Sequence, residues 1–145
     1  MGGVSLGRSI AVVLVALLMM NFIDQLLGGI LLQAAAGAPI TDQASFDAAF
    51  SRPVVAGLVI VTHAMSALLS GYVLGKLAGS HEVQHAAGTA ALATVAYLAA
   101  SSAPNMMVPP MWVRVAMMAV TPPALIAGAY IRGQARIIRM EREQS

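Results

Sequence analysis

Long apolar runs alternate with short polar stretches along this chain, and the runs have the length of membrane-spanning helices. Four spans are predicted, at residues 9–32, 53–77, 83–101 and 111–130. A helix rises about 1.5 Å per residue, so about 20 residues cross the hydrocarbon core of a bilayer. The pattern predicts an all-α integral membrane bundle of four helices that forms a single domain, residues 1–145.

The first run is interrupted near its middle by Asn21, Asp24 and Gln25. These residues are three and four positions apart, so they share one face of a helix. Because polar groups are expensive in hydrocarbon, we expect this face to turn toward other helices. A signal peptide is the alternative, since Arg8 precedes apolar residues 10–20, but the run is too long and too polar to favour it.

The second run carries a ridge of small residues at every fourth position: Ala67, Gly71, Gly75 and Gly79. Small side chains on one face let two membrane helices approach closely. The ridge therefore predicts a packing surface for another helix of this chain or of a second copy. His63 lies on the same face, where a hydrogen-bonded histidine inside the bundle is the simplest interpretation.

The other two runs differ from these in composition. Residues 83–101 are rich in alanine and only marginally hydrophobic, so we expect this third helix to be the most enclosed by protein. The fourth run contains Pro122 and Pro123 near its middle, which predicts a kink.

The longest polar connection follows the first run and contains a short amphipathic pattern. Thr41-Asp42 can cap a helix that carries Phe46, Ala49 and Phe50 on one side. We expect this helix to lie flat at the membrane interface.

Composition supports a membrane protein and limits its chemistry. Hydrophobic residues make up 59% of the chain and charged residues 10%, whereas soluble domains have about 25% charged residues. No segment remains for a separate soluble catalytic domain. The absence of cysteine excludes disulfides, thiolate zinc sites and iron–sulfur ligation. We predict no cofactor, and an enzymatic activity is not favoured.

The distribution of lysine and arginine predicts the orientation. With four spans, Arg8, Lys76 and the basic tail at residues 131–145 share one side, whereas Arg52 and Arg114 lie on the other. Both termini are therefore predicted to be cytoplasmic, in a bacterial inner membrane. The tail suits anionic lipid headgroups, and nucleic-acid binding is not indicated.

Residues 81–85 read His-Glu-Val-Gln-His, a literal H-E-x-x-H motif. Two imidazoles four positions apart can share a zinc ion, with the glutamate as general base. The longer metzincin pattern needs a third histidine where this chain has Ala91. A polar helix start with Ser80 as N-cap explains the motif better. A zinc metalloprotease is a distant alternative, with His81 and His85 as weak metal candidates.

Asp24 is the one acidic residue deep within a predicted span. Counted from the cytoplasmic side it lies about 22 Å along its helix, close to the depth of Arg114. An Asp24–Arg114 ion pair is the preferred interpretation, because an unpaired charge costs at least about 2.5 kcal/mol within a membrane helix. The functional alternative is a proton or ion path through Asp24 and His63.

The second half of the chain contains Ser-Gly-Tyr-Val-Leu-Gly-Lys-Leu-Ala-Gly at 70–79, then His85, and Pro-Pro-Ala-Leu-Ile-Ala-Gly-Ala-Tyr-Ile-Arg-Gly at 122–133. This arrangement resembles small uncharacterised bacterial membrane proteins with a Gly-Tyr-containing second helix and a closing Pro-to-Gly-Arg segment. The resemblance extends from about residue 66 onward. It implies about four spans and no particular reaction.

These features together favour an accessory or scaffolding membrane protein that packs against itself or another membrane protein. The alternative is a small oligomeric transporter or channel that uses Asp24 and His63. Four spans with few polar groups offer little for a permeation path, although Pro122 and Pro123 supply a helix break of the kind that transport sites use.

Overall fold

The computed structural model describes residues 6–79, 81–104 and 106–144, and within them every regular element is helical. The helices are α1 Leu6–Ile23, α2 Gly29–Ala36, α3 Gln43–Phe50, α4 Pro53–Ala78, α5 Glu82–Ser101 and α6 Met111–Gln144. A π-helical turn, Asp24–Gly28, joins α1 to α2 with helical backbone angles at both of its ends. The all-α prediction is confirmed.

Three helical segments among the described residues are long and apolar enough to cross a membrane. They are Gly7–Ala36, Pro53–Ala78 and Met111–Glu143, and they coincide with the first, second and fourth predicted spans. The third predicted span corresponds to α5, which has 20 residues and many alanines, and it is not one of these three. The fold is that of a helical membrane protein with three candidate spans.

The central helix of the bundle is α4, which packs against α1, α5 and α6. Eleven residues of α4 are buried, compared with four of α5. The expectation that the alanine-rich third helix would be the most enclosed is therefore wrong. The small residues of α4 let several neighbours reach its backbone, and this determines burial more than the low hydrophobicity of α5 does.

Glycines on both helices bring α4 and α6 close together. A Cβ atom added to Gly71 would overlap the carbonyl oxygen of Leu125 and lie 2.8 Å from its carbonyl carbon. A Cβ atom added to Gly128 would lie 2.7 Å from the backbone nitrogen of Tyr72. Since the obstacles are backbone atoms, these two positions admit no side chain unless the helices move apart.

The predicted small-residue ridge faces α6 over most of its length. Ala67 is buried in a cluster with Leu125, and a Cβ atom on Gly75 would lie 3.1 Å from the Cβ of Arg132. Gly79 has a different role. It has a φ of 70° and ends α4 as its C-cap, in the left-handed conformation that glycine adopts most easily. Gly79 is a helix stop rather than a packing residue.

The short helix α3 begins with a capping box. The Asp42 carboxylate accepts a hydrogen bond from the Ser45 amide at 2.8 Å, and the Ser45 hydroxyl accepts one from the Asp42 amide at 3.2 Å. The hydrogen bond from the Ser45 amide, followed by the Ser45 side chain, holds the pKa of Asp42 below its ordinary value. Phe46 and Phe50 are buried in a cluster with Val113 of α6. The apolar side of α3 thus packs on the bundle.

An amide clamp ties the proline-rich connection between α5 and α6 to α3. The Gln43 side chain donates through Nε2 to the carbonyl of Val108 and accepts through Oε1 from the Val108 amide, both at 3.0 Å. Nε2 also donates to Asp47 at 2.8 Å. The two hydrogen bonds to the backbone of one residue have the pattern of a hydrogen-bonded pair between β-strands. One side chain thus fixes the position of the connection between α5 and α6.

Candidate functional site

Asp24, His63 and Thr121 form a chain of hydrogen bonds, which we call the Asp24–His63–Thr121 network. His63 Nδ1 lies 2.6 Å from Asp24 Oδ2, and His63 Nε2 lies 2.8 Å from Thr121 Oγ1. The three residues come from the π turn, α4 and α6. His63 and Thr121 are buried and Asp24 is partly buried. The network therefore links three helical segments inside the bundle.

Local backbone features surround the two ends of the network. Asp24 is the first residue of the π turn, and such single wide turns within α-helices are frequent at functional sites. At the other end, Thr121 stands directly before two prolines inside α6. Proline has no amide hydrogen, so the carbonyls four residues before each proline lose their helical donors. The network thus connects two places where regular α-helical hydrogen bonding is interrupted.

The hydrogen bonds of Thr121 determine which atoms of the network carry protons. Its hydroxyl has one hydrogen, which it donates to the carbonyl of Met117 at 2.7 Å. The hydroxyl oxygen therefore accepts from His63, and Nε2 must carry a proton. The 2.6 Å contact between Nδ1 and Asp24 then requires a second proton, on either the imidazole or the carboxyl group. In this arrangement the pair holds two protons, one on Nε2 and one between Nδ1 and the carboxyl group, so Asp24 and His63 together have no net charge.

Loss of the shared proton would rearrange the network. The pair would carry one negative charge, which is unfavourable in a membrane interior. If the remaining imidazole proton stays on Nδ1 beside Asp24, Nε2 becomes an acceptor. Thr121 then has to turn its hydroxyl hydrogen from Met117 toward His63. The protonation state is thereby coupled to a hydrogen bond within α6.

Two other polar side chains lie near the network, Tyr97 of α5 and Arg114 of α6. The Tyr97 hydroxyl donates to Met117 Sδ at 3.7 Å, and Tyr97 interacts electrostatically with both Arg114 and Asp24. Arg114 Nη2 lies 3.3 Å from Met111 Sδ, and its buried Nε makes no hydrogen bond. These two side chains are the polar neighbours of the Asp24–His63 pair on α5 and α6.

The predicted ion pair between Asp24 and Arg114 is wrong. Among the described residues, the ion-pair partner of Asp24 is His63, at 2.6 Å. The physical reason is the order in which the helices pack: the π turn contacts α4, and α4 in turn contacts α6. His63 occupies the helix between them and reaches both sides, so equal depth did not bring Asp24 and Arg114 together.

Asn21 and Gln25 are exposed and do not join the network. The expectation that they share an inward face with Asp24 is therefore wrong. The buried stripe of α1 runs through Ala16 and Met20. Asp24 continues this stripe four residues later, whereas Asn21 and Gln25 lie on the outer flank of the helix.

The H-E-x-x-H motif forms structural contacts rather than a cluster of ligands. No group of three or more His, Cys, Asp or Glu residues within the described part of the chain is placed to hold a metal ion. His85 Nδ1 lies 3.0 Å from the carbonyl oxygen of His81, and its Nε2 lies 3.1 Å from Ser9 Oγ. Both ring nitrogens of His85 therefore have protein partners, one of them on α1.

The junction between α4 and α5 is stabilised from the tail half of α6. Arg136 forms an ion pair with Glu82 at 2.9 Å and also donates to the carbonyl of Gly79. His81 occupies the N-cap position of α5 with a left-handed φ of 55° and makes no side-chain capping bond. Ser80, the predicted N-cap, lies outside the described residues.

Sequence reasoning singled out Asp24 and His63 but not Thr121. The signal for Thr121 was its position directly before Pro122 and Pro123, where a hydroxyl can bond to the helix backbone beside a break. Without the helix order, however, nothing in the sequence connects this hydroxyl with His63.

Comparison with known proteins finds no matching family model, no matching curated protein and no matching solved structure. The Asp24–His63–Thr121 network is therefore the feature from which a function can be inferred.

Proposed function

We propose that this protein is a small multi-pass protein of a bacterial inner membrane that binds and releases a proton at the Asp24–His63–Thr121 network and carries protons across the membrane as a small transporter. The supporting observation is the hydrogen-bond chain inside the bundle, in which the two titratable side chains Asp24 and His63 lie 2.6 Å apart and His63 lies 2.8 Å from Thr121. Ionisable residues that pair with each other inside a membrane are typical of proton relays.

In the proposed topology, the chain crosses the membrane four times and both termini are cytoplasmic. The 20 residues of α5 are about 30 Å long. This length is enough for α5 to cross the hydrocarbon core beside the helices it packs against. Arg8 lies near the end of α4, where its Nη2 donates to the carbonyl of Leu77 at 3.1 Å. Arg52, at the opposite end of α4, donates to the carbonyl of Ala35 at 3.1 Å. This separation agrees with the charge asymmetry of the sequence.

Reporter fusions test the orientation. A periplasm-active phosphatase should be active when inserted near Gln43 and inactive after Ser145, and a cytoplasm-active fluorescent protein should give the reverse pattern. A phosphatase active after Ser145 would contradict the proposed topology.

The proposed coupling acts through the break in helical hydrogen bonding at Pro122 and Pro123, inside the continuous helix α6. After the two prolines, Gly128 brings α6 against the backbone of α4. This close contact fixes the C-terminal half of α6 on α4. The half from Met111 to Val120 lies before two prolines that weaken the helix, which makes the break a natural bending point. When the network releases its proton and Thr121 reorients its hydroxyl, the hydrogen bonding at this bending point changes.

The first test measures proton binding directly. Membrane-reconstituted protein is subjected to a pH change and followed by difference infrared spectroscopy, with nitrogen-15 NMR of the histidine ring. We expect signals from Asp24 and His63 to change together, and Asp24→Asn to remove the carboxyl signal and alter the histidine signal. If neither group changes between acid and alkaline pH, proton binding is excluded.

The second test measures transport. Liposomes containing a pH-sensitive dye and the purified protein are given a membrane potential, and the internal pH is recorded. Asp24→Asn and Thr121→Val should reduce proton flux to the level of protein-free liposomes. Thr94→Val is the matched control, because the Thr94 hydroxyl donates only to the Ala90 carbonyl of its own helix, at 2.9 Å. Equal flux in all four samples would refute the transport function.

An accessory or scaffolding role is the second candidate. It is favoured by the uncovered apolar surface of α1, on which Leu18 is 70% and Phe22 is 66% exposed, and by the basic tail, which suits anionic lipid headgroups. In that case the wild-type protein would carry no flux, and Asp24→Asn would only weaken the bundle. The liposome experiment therefore separates the two candidates.

A further inference from the structure

One exposed face of α1, continued by Gln25 of the π turn, follows the spacing of a helix-pairing seam. Its residues are alternately four and three positions apart, and all are exposed: Gly7, Ala11, Leu14, Leu18, Asn21 and Gln25. Apolar residues at this spacing form the contact line of left-handed helix pairs. Here the first four positions are small or apolar, and the last two are amides. We call this face the α1 seam.

The two amides make the α1 seam unusual for a surface in contact with lipid. Asn21 and Gln25 lie near the middle of the segment Gly7–Ala36, far from both of its ends. Neither side chain has a hydrogen-bond partner within the described residues. An amide without a partner in hydrocarbon is unfavourable, and polar side chains in membrane helices commonly bond across to a neighbouring helix. The seam therefore needs a partner that supplies donors and acceptors at this depth.

We propose that the partner is a second copy of this chain, with α1 packed against α1 in parallel. A carboxamide carries both a donor and an acceptor, so it is complementary to an identical group. Two copies inserted in the same orientation place each residue at the same depth, on either side of a two-fold axis along the membrane normal. Asn21 and Gln25 of one copy then meet the same residues of the other, and they fix the register of the pair.

The apolar part of the α1 seam is consistent with this arrangement. Gly7 and Ala11 are small and permit close approach at one end of the helix, while Leu14 and Leu18 can interdigitate with their counterparts. The buried stripe of the same helix, through Ala16, is already occupied by packing within the chain. α1 can therefore contact a second copy without disturbing the bundle. The inference does not depend on proton binding.

Cysteine cross-linking tests the interface, because the chain has no native cysteine. Single variants Leu14→Cys and Leu18→Cys place a thiol on the α1 seam. Val61→Cys and Val95→Cys are controls at positions that are 60% and 63% exposed but lie on other helices, α4 and α5. Each variant is reconstituted at low density in liposomes and oxidised. We expect disulfide-linked dimers at the two seam positions and little product at the two controls, since a disulfide requires Cα atoms within about 7 Å.

A second variant tests the amides. The double substitution Asn21→Leu with Gln25→Leu, made in the Leu18→Cys background, should reduce the yield of cross-linked dimer about tenfold, since interhelical hydrogen bonds are lost. Asn21→Gln should retain the dimer. Both variants should unfold in detergent at the wild-type temperature, because the side chains are exposed in the bundle.

Three outcomes in liposomes of the purified protein would overturn the inference. These are equal cross-linking at seam and control positions, a lack of cross-linking in liposomes of the purified protein, and undiminished dimer in the double-leucine variant. Cross-linking at Leu18→Cys that appears only in native membranes and joins the chain to a different protein would also overturn it, because the partner would not be a second copy.

Discussion

Replacement of Gly71 by alanine should loosen the contact between α4 and α6. The new Cβ atom would overlap the carbonyl oxygen of Leu125 and stand 2.8 Å and 2.9 Å from its carbonyl carbon and Cα. All three are backbone atoms of a helix, so they cannot rotate away as the end of a flexible side chain would. The two helices must therefore move apart to admit the methyl group.

The magnitude follows from the size of this displacement. Ordinary van der Waals contact begins at 3.4 Å, so the helices have to separate by about 1 Å, which removes a quarter to a half of the dispersion attraction between the atoms concerned. Overpacking of this kind costs about 1–3 kcal/mol, and it is partly offset by the gain of about 1 kcal/mol that alanine brings to a helix. We expect a net loss of up to about 2 kcal/mol in the free energy of unfolding.

Gly57→Ala is the matched control, since Gly57 is in the same helix and a Cβ atom there would meet nothing within 4 Å. This variant should be as stable as the wild type, or more stable by up to about 1 kcal/mol. The two free energies of unfolding are compared by SDS titration in mixed micelles, followed by circular dichroism. If Gly71→Ala is as stable as Gly57→Ala, the close packing of α4 on α6 is refuted.

Further predictions concern the polar contacts at the helix ends. Arg136→Met should speed proteolysis at the α4–α5 junction by removing the ion pair with Glu82, whereas Arg139→Met, which breaks an exposed pair, should not. Because hydrogen bonds lower the pKa of Asp42, its cap is complete above the ordinary value of 3.8 and is lost as the pH falls through the lower folded value. Amide exchange in the first turn of α3 should therefore accelerate only in acid. Purified protein should contain no stoichiometric zinc; one zinc per chain, lost in His85→Ala, would contradict this.

The helices of this protein can be predicted largely from local sequence. The second span was predicted at 53–77 and is observed at Pro53–Ala78, because Pro53 favours a first turn and a left-handed glycine follows the last residue. The tail continues the last helix to Gln144, in line with the spacing of its arginines, which are three or four positions apart: Arg132, Arg136, Arg139 and Arg142. The residues that start, end or continue these helices lie within a few positions of the helix ends, so they can be recognised from the local sequence.

The contacts between helices were less accessible to sequence reasoning. Depth along a predicted span can be counted from the sequence, and it set Asp24 apart from the other acidic residues. Depth does not reveal which helix lies beside another, so Arg114 was assigned to a pair that His63 makes instead. The same limit applies to Asn21, whose outward direction depends on which stripe of α1 faces α4. Angular position around a helix is decided by packing that involves the whole bundle.

The amide clamp between Gln43 and Val108 implies an order of events during synthesis. The two residues are 65 positions apart in the chain, so α3 and its capping box are made well before the partner exists. The entropy needed to close a loop grows only slowly with its length, so the separation delays the clamp without making it unfavourable. The clamp can close only after α4 and α5 have been translated. It then joins the connection between α5 and α6 to the start of α3. A nascent chain halted before Val108 would contain most of the helices yet lack this fastening.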